Sequence, residues 1–357
     1  MTVVTRFEIP YTQILNDQGE LTQALPPFAE DNASLLALYR TMVLMRTFDK
    51  KAIALQRTGK MGTYAPITGQ EAIATAIGHA MRPDDVLVPY YRDYAAQVLR
   101  GVKMEEILAY WGGDERGSAF QNNPEDLPIC VPIASQCLHA TGVAFAFQYR
   151  KQPRVAVTCI GDGGTSEGDF YEAINVAGVW KLPVVFVVNN NQWAISVPLS
   201  QQTASETIAQ KAIAAGFTGV QVDGNDVIAC REIIGQAIEK ARRGEGPTLI
   251  EAKSYRLSDH TTADDATRYQ PSDEVVNAQL KEPISRFKHW LIENNLWTTQ
   301  QEEALLQAVS IEVQEAADRY LAKTPQPASS MFDYHFAELP DYLIEQRAIA
   351  MEEASHV

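Results

Sequence analysis

An aspartate stands between two glycines in the short stretch IGDGGTSEG, which covers residues 160–168. Glycine-rich turns that follow a strand often bind phosphate through backbone N–H groups, and a carboxylate in such a turn repels the anion. The stretch is not a dinucleotide fingerprint, because Ser166 stands where the third glycine is required and no acidic residue follows about 20 residues later. The presence of Asp162 therefore calls for a different ligand.

Three asparagines, Asn189, Asn190 and Asn191, follow the next apolar segment. If both segments are neighbouring parallel strands, their carboxyl ends present Asp162 and these amides to the same crevice. Oxygen ligands of this kind bind Mg²⁺, which completes its octahedron with phosphate oxygens and water. A divalent cation between Asp162 and a diphosphate replaces the repulsion with two attractions. Separately, a helix cap and a turn would explain these residues, but together they favour a metal–diphosphate site.

Short β-branched segments alternate with helical segments from residue 154 onwards. The strand candidates are RVAVTCI, PVVFVVN, GVQV and PTLIEAKSY, and the helical segments between them are SEGDFYEAINVAGVWK, ASETIAQKAIAAG and DVIACREIIGQAIEKARR. Nearly continuous Val and Ile runs are typical of strands covered on both faces, and the alternation predicts a parallel, doubly wound sheet. We therefore predict an α/β fold with a mostly parallel sheet.

The segments on either side of this region have a different character. Residues 1–32 lack periodicity and are predicted to form an N-terminal arm, after which Asp31 or Asn32 caps a long helix that Gly59 can end. Residues 33–270 form the predicted α/β domain. Residues 271–357 form a helical C-terminal extension, because they contain no strand candidate of comparable strength.

Composition excludes several functions. A formal net charge of −15 argues against an extended nucleic-acid or anionic-membrane surface. The four cysteines lack metal-ligand spacing, which favours free thiols in a reducing compartment, and no apolar run approaches the roughly 20 residues of a membrane span. We expect a cytoplasmic protein.

A long motif resembles that of a known family. The segment GDGGTSEGDFYEAINVAGVWKLPVVFVVNNNQWAIS is similar to the thiamine-diphosphate motif, which begins Gly-Asp-Gly and ends Asn-Asn after about 30 residues. More narrowly, nearly the whole chain resembles the α subunit of the decarboxylating component of 2-oxo acid dehydrogenase complexes, including TGQEA, YYRDY, VDGND and YRLSDHTTADDATRY. The resemblance implies a thiamine-diphosphate-binding fold with thiamine diphosphate and Mg²⁺ as cofactors.

The resemblance also implies a set of ligands for these cofactors. Mg²⁺ would be held by Asp162, the side chain of Asn191 and the backbone carbonyl of Trp193, while Gly163 and Gly164 would lie against the diphosphate.

Five further positions and one departure follow from the resemblance. Tyr91 and Arg92 match a pair that contacts the diphosphate, and Ile133 matches an apolar residue that contacts the aminopyrimidine. His260 matches a loop histidine that would titrate near neutrality and shuttle a proton or bond the diphosphate. Arg256 matches the arginine before it, and the resemblance implies cofactor-binding and catalytic roles for both residues. In isolation, the Tyr-Arg pair would be structural and the histidine would be solvated. At Phe120, many pyruvate-type relatives have histidine.

The implied reaction is the oxidative decarboxylation of a 2-oxo acid with transfer of the acyl group to lipoamide. Only one α/β unit is visible, so the resemblance implies a β subunit in an α₂β₂ assembly and the lipoyl-bearing core of an acyltransferase as a further partner. Pyruvate is the favoured substrate, and Phe120 leaves branched-chain 2-oxo acids open. A transketolase-like ketol transferase, a nicotinamide-dependent dehydrogenase and a non-catalytic subunit are the alternatives.

Overall fold

The computed structural model describes residues 2–354, which form eight β-strands and fourteen α-helices. The strands are β1 (Tyr11–Thr12), β2 (Val86–Val88), β3 (Ala156–Gly161), β4 (Val184–Asn190), β5 (Trp193–Ala194), β6 (Val197–Pro198), β7 (Thr218–Asp223) and β8 (Thr248–Lys253). The helices are α1 (Asn32–Arg57), α2 (Glu71–Ala80), α3 (Tyr94–Leu99), α4 (Met104–Trp111), α5 (Ser135–Tyr149), α6 (Gly168–Trp180), α7 (Leu199–Gln202), α8 (Lys211–Ala214), α9 (Val227–Arg242), α10 (Ser272–Gln279), α11 (Pro283–Glu293), α12 (Thr299–Leu321), α13 (Ser330–Asp333) and α14 (Asp341–Ala354).

Six strands form one sheet in the order β1-β7-β8-β4-β3-β2, and every pairing in it is parallel. The prediction of a doubly wound, mostly parallel α/β fold is confirmed. Strands β3 and β4 are neighbours, with Gly161 opposite Asn189. This register brings the residues that follow β3 and β4 to the same edge of the sheet.

The apolar strands are buried on both faces. In β4, Val185 and Val187 belong to the core that α1, α2 and α9 cover, whereas Val184, Phe186 and Val188 belong to the core under α5 and α6. Because side chains alternate across a strand, a strand covered on both sides must be apolar at successive positions. This requirement explains the near-continuous valine runs of the sequence.

Some elements differ from the sequence-based expectations. The four strand candidates correspond to β3, β4, β7 and β8, but the sequence pattern did not predict β1 or β2, which have only two and three residues. Such short strands leave no measurable periodicity. The helical segment expected over residues 204–216 forms only a 3₁₀ turn, Ile208–Gln210, and the four-residue α8.

The ends of the chain differ in how they are held. Asp31 caps α1 by accepting hydrogen bonds from the amides of Ala33 and Ser34. In the C-terminal part, α12 buries a stripe that includes Val309 and Val313, whereas α14 buries no residue. The division into arm, α/β domain and extension stays a prediction. Among the residues that the structure describes, no helix combines the length and apolarity needed to cross a membrane.

Candidate active site

Four adjacent strands deliver the predicted functional residues to one edge of the sheet. Tyr91 and Arg92 follow β2, Asp162 follows β3, Asn191 and Trp193 follow β4, and Arg256 and His260 follow β8. In an open parallel sheet this is the edge at which ligands bind. Tyr91 and His260 are about 170 residues apart in the sequence, and the topology of the sheet brings them to the same edge.

A cavity of about 250 Å³ lies at this edge. Nine of the ten predicted site residues line it: Tyr91, Arg92, Ile133, Asp162, Gly163, Gly164, Asn191, Trp193 and His260. The tenth, Arg256, does not. The lining also includes Tyr90, Cys130, Gln136, Ile160, Gly161, Glu167, Ala194 and Ile195, which had no predicted role. The roles of the nine predicted residues in binding or catalysis stay predictions, but these residues do line one cavity.

The carboxylate of Asp162 is 2% exposed and accepts a hydrogen bond from Gln202 Nε2 at 2.8 Å. Burial raises the pKa of Asp162, and this amide hydrogen bond only partly opposes the rise. No Lys, Arg or His among the described residues forms an ion pair with it. A buried carboxylate with a neutral partner is suited to a cation, which would favour its ionised form.

The residues 161–168, here called the glycine turn, pack too closely for side chains at two positions. A Cβ at Gly163 would lie 2.4 Å from the Cβ of Ala194, and one at Gly164 would lie 2.7 Å from Ile160 Cγ1. Both distances are shorter than any ordinary carbon–carbon contact. Packing of the turn thus requires these glycines, whether or not a phosphate approaches their backbone.

The amide of Asn191 has a defined orientation. Its Nδ2 donates to Gln70 Oε1 at 2.9 Å, and its Oδ1 accepts from the backbone amide of Trp193 at 3.1 Å. Gln70 Oε1 also accepts from Asn189 Nδ2 at 3.1 Å. Because Gln70 takes up the nitrogen, the oxygen of Asn191 is left on the side away from Gln70, as a metal ligand requires. Neither Gln70 nor Gln202 was predicted from the sequence.

Backbone strain accumulates beside the cavity. Ile195, Gln192 and Ala134 have φ values of 55°, 72° and 70°. A β-branched residue with positive φ is an outlier, and here Ile195 occupies the two-residue turn between β5 and β6, where this conformation is required. Such strain is concentrated at functional sites in many proteins.

Arg92 and His260 meet at the wall of the cavity. Arg92 Nη2 donates to the backbone oxygen of His260 at 2.6 Å and lies 3.3 Å from His260 Nδ1, while Nη1 donates to the Tyr91 hydroxyl at 3.0 Å. Burial, together with the charges of Arg92 and Arg256, lowers the pKa of His260 to about 3. The expectation that this histidine titrates near neutrality does not hold for this arrangement, because burial and two nearby guanidinium groups oppose its protonation.

Arg256 lies behind the cavity wall and is fully buried. Its Nη2 donates to the backbone oxygen of Ile195 at 2.9 Å and to the Tyr269 hydroxyl at 2.5 Å, and its Nε donates to the Ser258 carbonyl. Nη1 has no partner among the described residues. The guanidinium therefore supports the turn of the β5–β6 hairpin, and its predicted cofactor and catalytic roles would need Nη1 to reach a ligand.

The predicted metal set fits the chemistry of Mg²⁺. Within residues 2–354, no group of three or more His, Cys, Asp or Glu side chains could hold a metal ion. The set of Asp162, Asn191 and the carbonyl of Trp193 contains only one such side chain, and all three donors are oxygens. Mg²⁺ accepts a small protein donor set of this kind when phosphate and water supply the remaining ligands.

The sequence analysis also drew attention to Phe120 and to the four cysteines. Phe120 is 7% exposed, belongs to the apolar core and does not line the cavity. All four cysteines are free thiols, and Cys130 is the one among them that reaches the cavity.

Comparison with known proteins identifies the family of this chain. Residues 39–329 match the family described as the dehydrogenase E1 component. Three relatives are proteins called pyruvate dehydrogenase E1 component subunit alpha. Those from Mycoplasma genitalium and Mycoplasma pneumoniae are 39% and 38% identical over 98% of both chains. The one from Staphylococcus aureus is 38% identical over 98% of this chain and 95% of the relative. The chain therefore belongs to the dehydrogenase E1 component family.

Proposed function

We propose that this chain is the α subunit of a pyruvate dehydrogenase that binds thiamine diphosphate and Mg²⁺. The observation that carries the proposal is the convergence of Asp162 and Asn191, from the ends of adjacent strands, on one cavity that Arg92 also lines. The names of the three relatives support pyruvate as the substrate. The reaction is the oxidative decarboxylation of pyruvate with transfer of the acetyl group to lipoamide, which gives acetyl-CoA and CO₂ in the full complex.

Each part of the cavity has a role in holding the cofactor. Asp162, Asn191 and the Trp193 carbonyl would hold Mg²⁺, and Tyr91 and Arg92 would bind the diphosphate, for which the planar donors of arginine are suited. When bound, thiamine diphosphate supplies a carbanion at its thiazolium ring and an electron sink for decarboxylation. The protein contributes placement and charge.

Ile133 and His260 would act on different parts of the bound cofactor. The side chain of Ile133 is exposed at the cavity and offers an apolar surface to the aminopyrimidine. Because a guanidinium nitrogen can only donate, Arg92 leaves Nδ1 of His260 as the acceptor and Nε2 as the protonated nitrogen. An anionic diphosphate would offset the charges of Arg92 and Arg256 and raise the pKa of His260, so that it can donate a proton during acyl transfer.

A second subunit is part of the proposal. The relatives are named as alpha subunits, which supports a β subunit as the partner, in an α₂β₂ assembly that delivers acyl groups to the lipoyl domain of an acyltransferase core. Exposed aromatic side chains on α5 and α6, Phe145, Tyr149 and Trp180, also support a protein partner. The acidic surface favours neither nucleic acid nor membrane, and we place the protein in the cytoplasm.

The test is co-expression of the chain with a candidate β chain, followed by decarboxylation assays with pyruvate and with 3-methyl-2-oxobutanoate. We expect activity that requires both chains, thiamine diphosphate and Mg²⁺, with pyruvate as the better substrate. Asp162→Asn should abolish it. A higher kcat/KM for the branched-chain acid would reassign the substrate, and full activity of the isolated chain or of the variant would refute the proposal.

A further inference from the structure

A carboxylate that does not line the cavity organises one segment beside it. Asp49 of α1 is fully buried and accepts hydrogen bonds from four donors. They are the Tyr64 hydroxyl at 2.8 Å, the amide of Ile67 at 3.0 Å, and the amide and hydroxyl of Thr68 at 3.0 and 2.7 Å. No Lys, Arg or His among residues 2–354 forms an ion pair with it. All of its described donors belong to residues 64–68.

The same segment contacts the cofactor residues of the cavity. The carbonyl of Pro66 accepts from Arg92 Nε at 2.9 Å, and that bond fixes the guanidinium from behind. Two residues after Thr68, Gln70 Oε1 accepts from Asn191 at 2.9 Å and sets the orientation of its amide. One segment therefore positions a predicted diphosphate ligand and a predicted metal ligand.

The segment also holds the chain that carries His260. We call residues 256–270 the histidine loop. The amide of Thr262 donates to the Tyr64 carbonyl at 2.8 Å, and Thr262 Oγ1 accepts from the Tyr64 amide at 3.0 Å. The amide of Leu257 donates to the Thr68 carbonyl at 3.1 Å. These three bonds attach the loop to the residues that Asp49 fixes.

We infer that Asp49 is a positioning residue of the active site, which acts through residues 64–70 on Arg92, Asn191 and the histidine loop. The inferred effect of Asp49 on cofactor binding rests on the proposed function, whereas the inferred effect of Asp49 on the histidine loop does not. Asp49 touches no reacting atom, so it is not a catalytic residue.

A carboxylate is needed at this position because four donors converge on two oxygens. Asparagine has nearly the same size but only one acceptor oxygen, so its NH₂ group would face donors of Ile67 or Thr68. With the NH₂ on the Thr68 side, the Thr68 amide loses its partner, and with the NH₂ on the Tyr64 side it opposes the Ile67 amide across 3.1 Å. Either arrangement is costly in an apolar interior. The segment is also closely packed, since a Cβ at Gly69 would lie 2.6 Å from the Tyr255 carbonyl oxygen.

The test compares Asp49→Asn with a matched control, Asp226→Asn, in the full chain co-expressed with its β partner. Asp226 is also a buried carboxylate that accepts backbone hydrogen bonds, from Ile14, Leu15, Ile228 and Ala229, but it holds the arm against α9. Burial raises the pKa of each of these two carboxyls to about 6, so the two environments are alike. Thr68→Val removes one donor to Asp49 and is a milder second variant that should fold.

Two readouts separate positioning from general destabilisation. They are the Kd of thiamine diphosphate in the presence of Mg²⁺ and the rate of tryptic cleavage after Arg268 without cofactor. The change in each is compared with the change in Tm of the same variant. We expect Asp49→Asn to raise both by about tenfold, Thr68→Val by about threefold, and Asp226→Asn to lower Tm while changing both by less than about twofold.

Equal changes in Kd and cleavage for Asp49→Asn and Asp226→Asn, at equal loss of Tm, would overturn the inference. Should Asp49→Asn not fold, Thr68→Val decides on the same two readouts: an unchanged Kd and an unchanged cleavage rate would overturn the inference. If the wild-type complex does not bind thiamine diphosphate, the proposed function fails instead, and the cleavage rates alone then support or refute the positioning role of Asp49.

Discussion

The glycine turn and the histidine loop border the same cavity but are built in different ways. The turn is set by close packing, because Gly163 and Gly164 lie against Ala194 and Ile160 and the first residue of the turn is still paired in the sheet. The histidine loop is held by polar contacts to distant residues, such as the bonds between Thr262 and Tyr64 and between Arg256 and Ile195. The turn therefore holds Asp162, a predicted metal ligand, rigidly, whereas the loop depends on bonds that can be broken singly.

The largest effect on stability is expected from adding a methyl group at Gly163 of the glycine turn. Gly163→Ala places a Cβ 2.4 Å from that of Ala194, and such overpacking costs about 2 kcal/mol of unfolding free energy. Urea denaturation of the purified chain measures this. Gly168→Ala, in the same turn, is the control, since its Cβ meets nothing within 4 Å and should be neutral or slightly stabilising. Equal stability of the two variants would contradict the packing account of the turn.

A smaller and more local effect is expected in the loop. The Tyr269 hydroxyl bonds both Arg256 Nη2 and Asp264 Oδ2, and Tyr269→Phe removes both bonds. We expect about a fivefold rise in tryptic cleavage after Arg268, with Tm almost unchanged, because these bonds join loop residues to each other and not to the core.

Tyr255→Phe is the control for this variant. Among residues 2–354, the Tyr255 hydroxyl donates a single exposed hydrogen bond, to Glu274 at 3.3 Å, and its loss should leave the cleavage rate unchanged. A large fall in Tm for Tyr269→Phe would mean that the loop and the core unfold together.

The smallest effect concerns pH. In the folded histidine loop the pKa of His260 is about 3, which is below the ordinary value of 6.5. Between these two pH values, His260 binds a proton when the loop has detached but not when the loop is folded. The stability contributed by the neutral imidazole is present above about pH 6.5 and is lost as the pH falls towards 3. Asp264, which raises this pKa, is outweighed by burial and by the charges of Arg92 and Arg256.

We expect hydrogen-exchange protection of the loop amides, corrected for intrinsic rates, to fall by about threefold between pH 7 and pH 5. His260→Gln should show no such fall. A fall of the same size in the variant would assign the pH dependence to another group.

The contrast also explains how far the sequence could be interpreted. Strands β3 and β4 were predictable because both of their faces are covered, and Asp162 and Asn191 stand out as polar residues directly after apolar runs. Gln70 and Gln202 were not predictable, since each acts through an amide contact across 40 residues or more, which leaves no periodic pattern. The lowered pKa of His260 depends on burial and on two guanidinium groups, both of which only the tertiary structure supplies.

The measurement that tests the central claim most directly is calorimetric titration of the α–β complex with thiamine diphosphate, with Mg²⁺ and after its removal by a chelator, for the wild type and Asp162→Asn. The account predicts binding by the wild type that requires Mg²⁺ and a loss of at least about a hundredfold in the variant, since a buried charged ligand to the ion is removed. Binding of equal strength with and without Mg²⁺, or unchanged binding by Asp162→Asn, would contradict a metal-bridged diphosphate at the tips of β3 and β4.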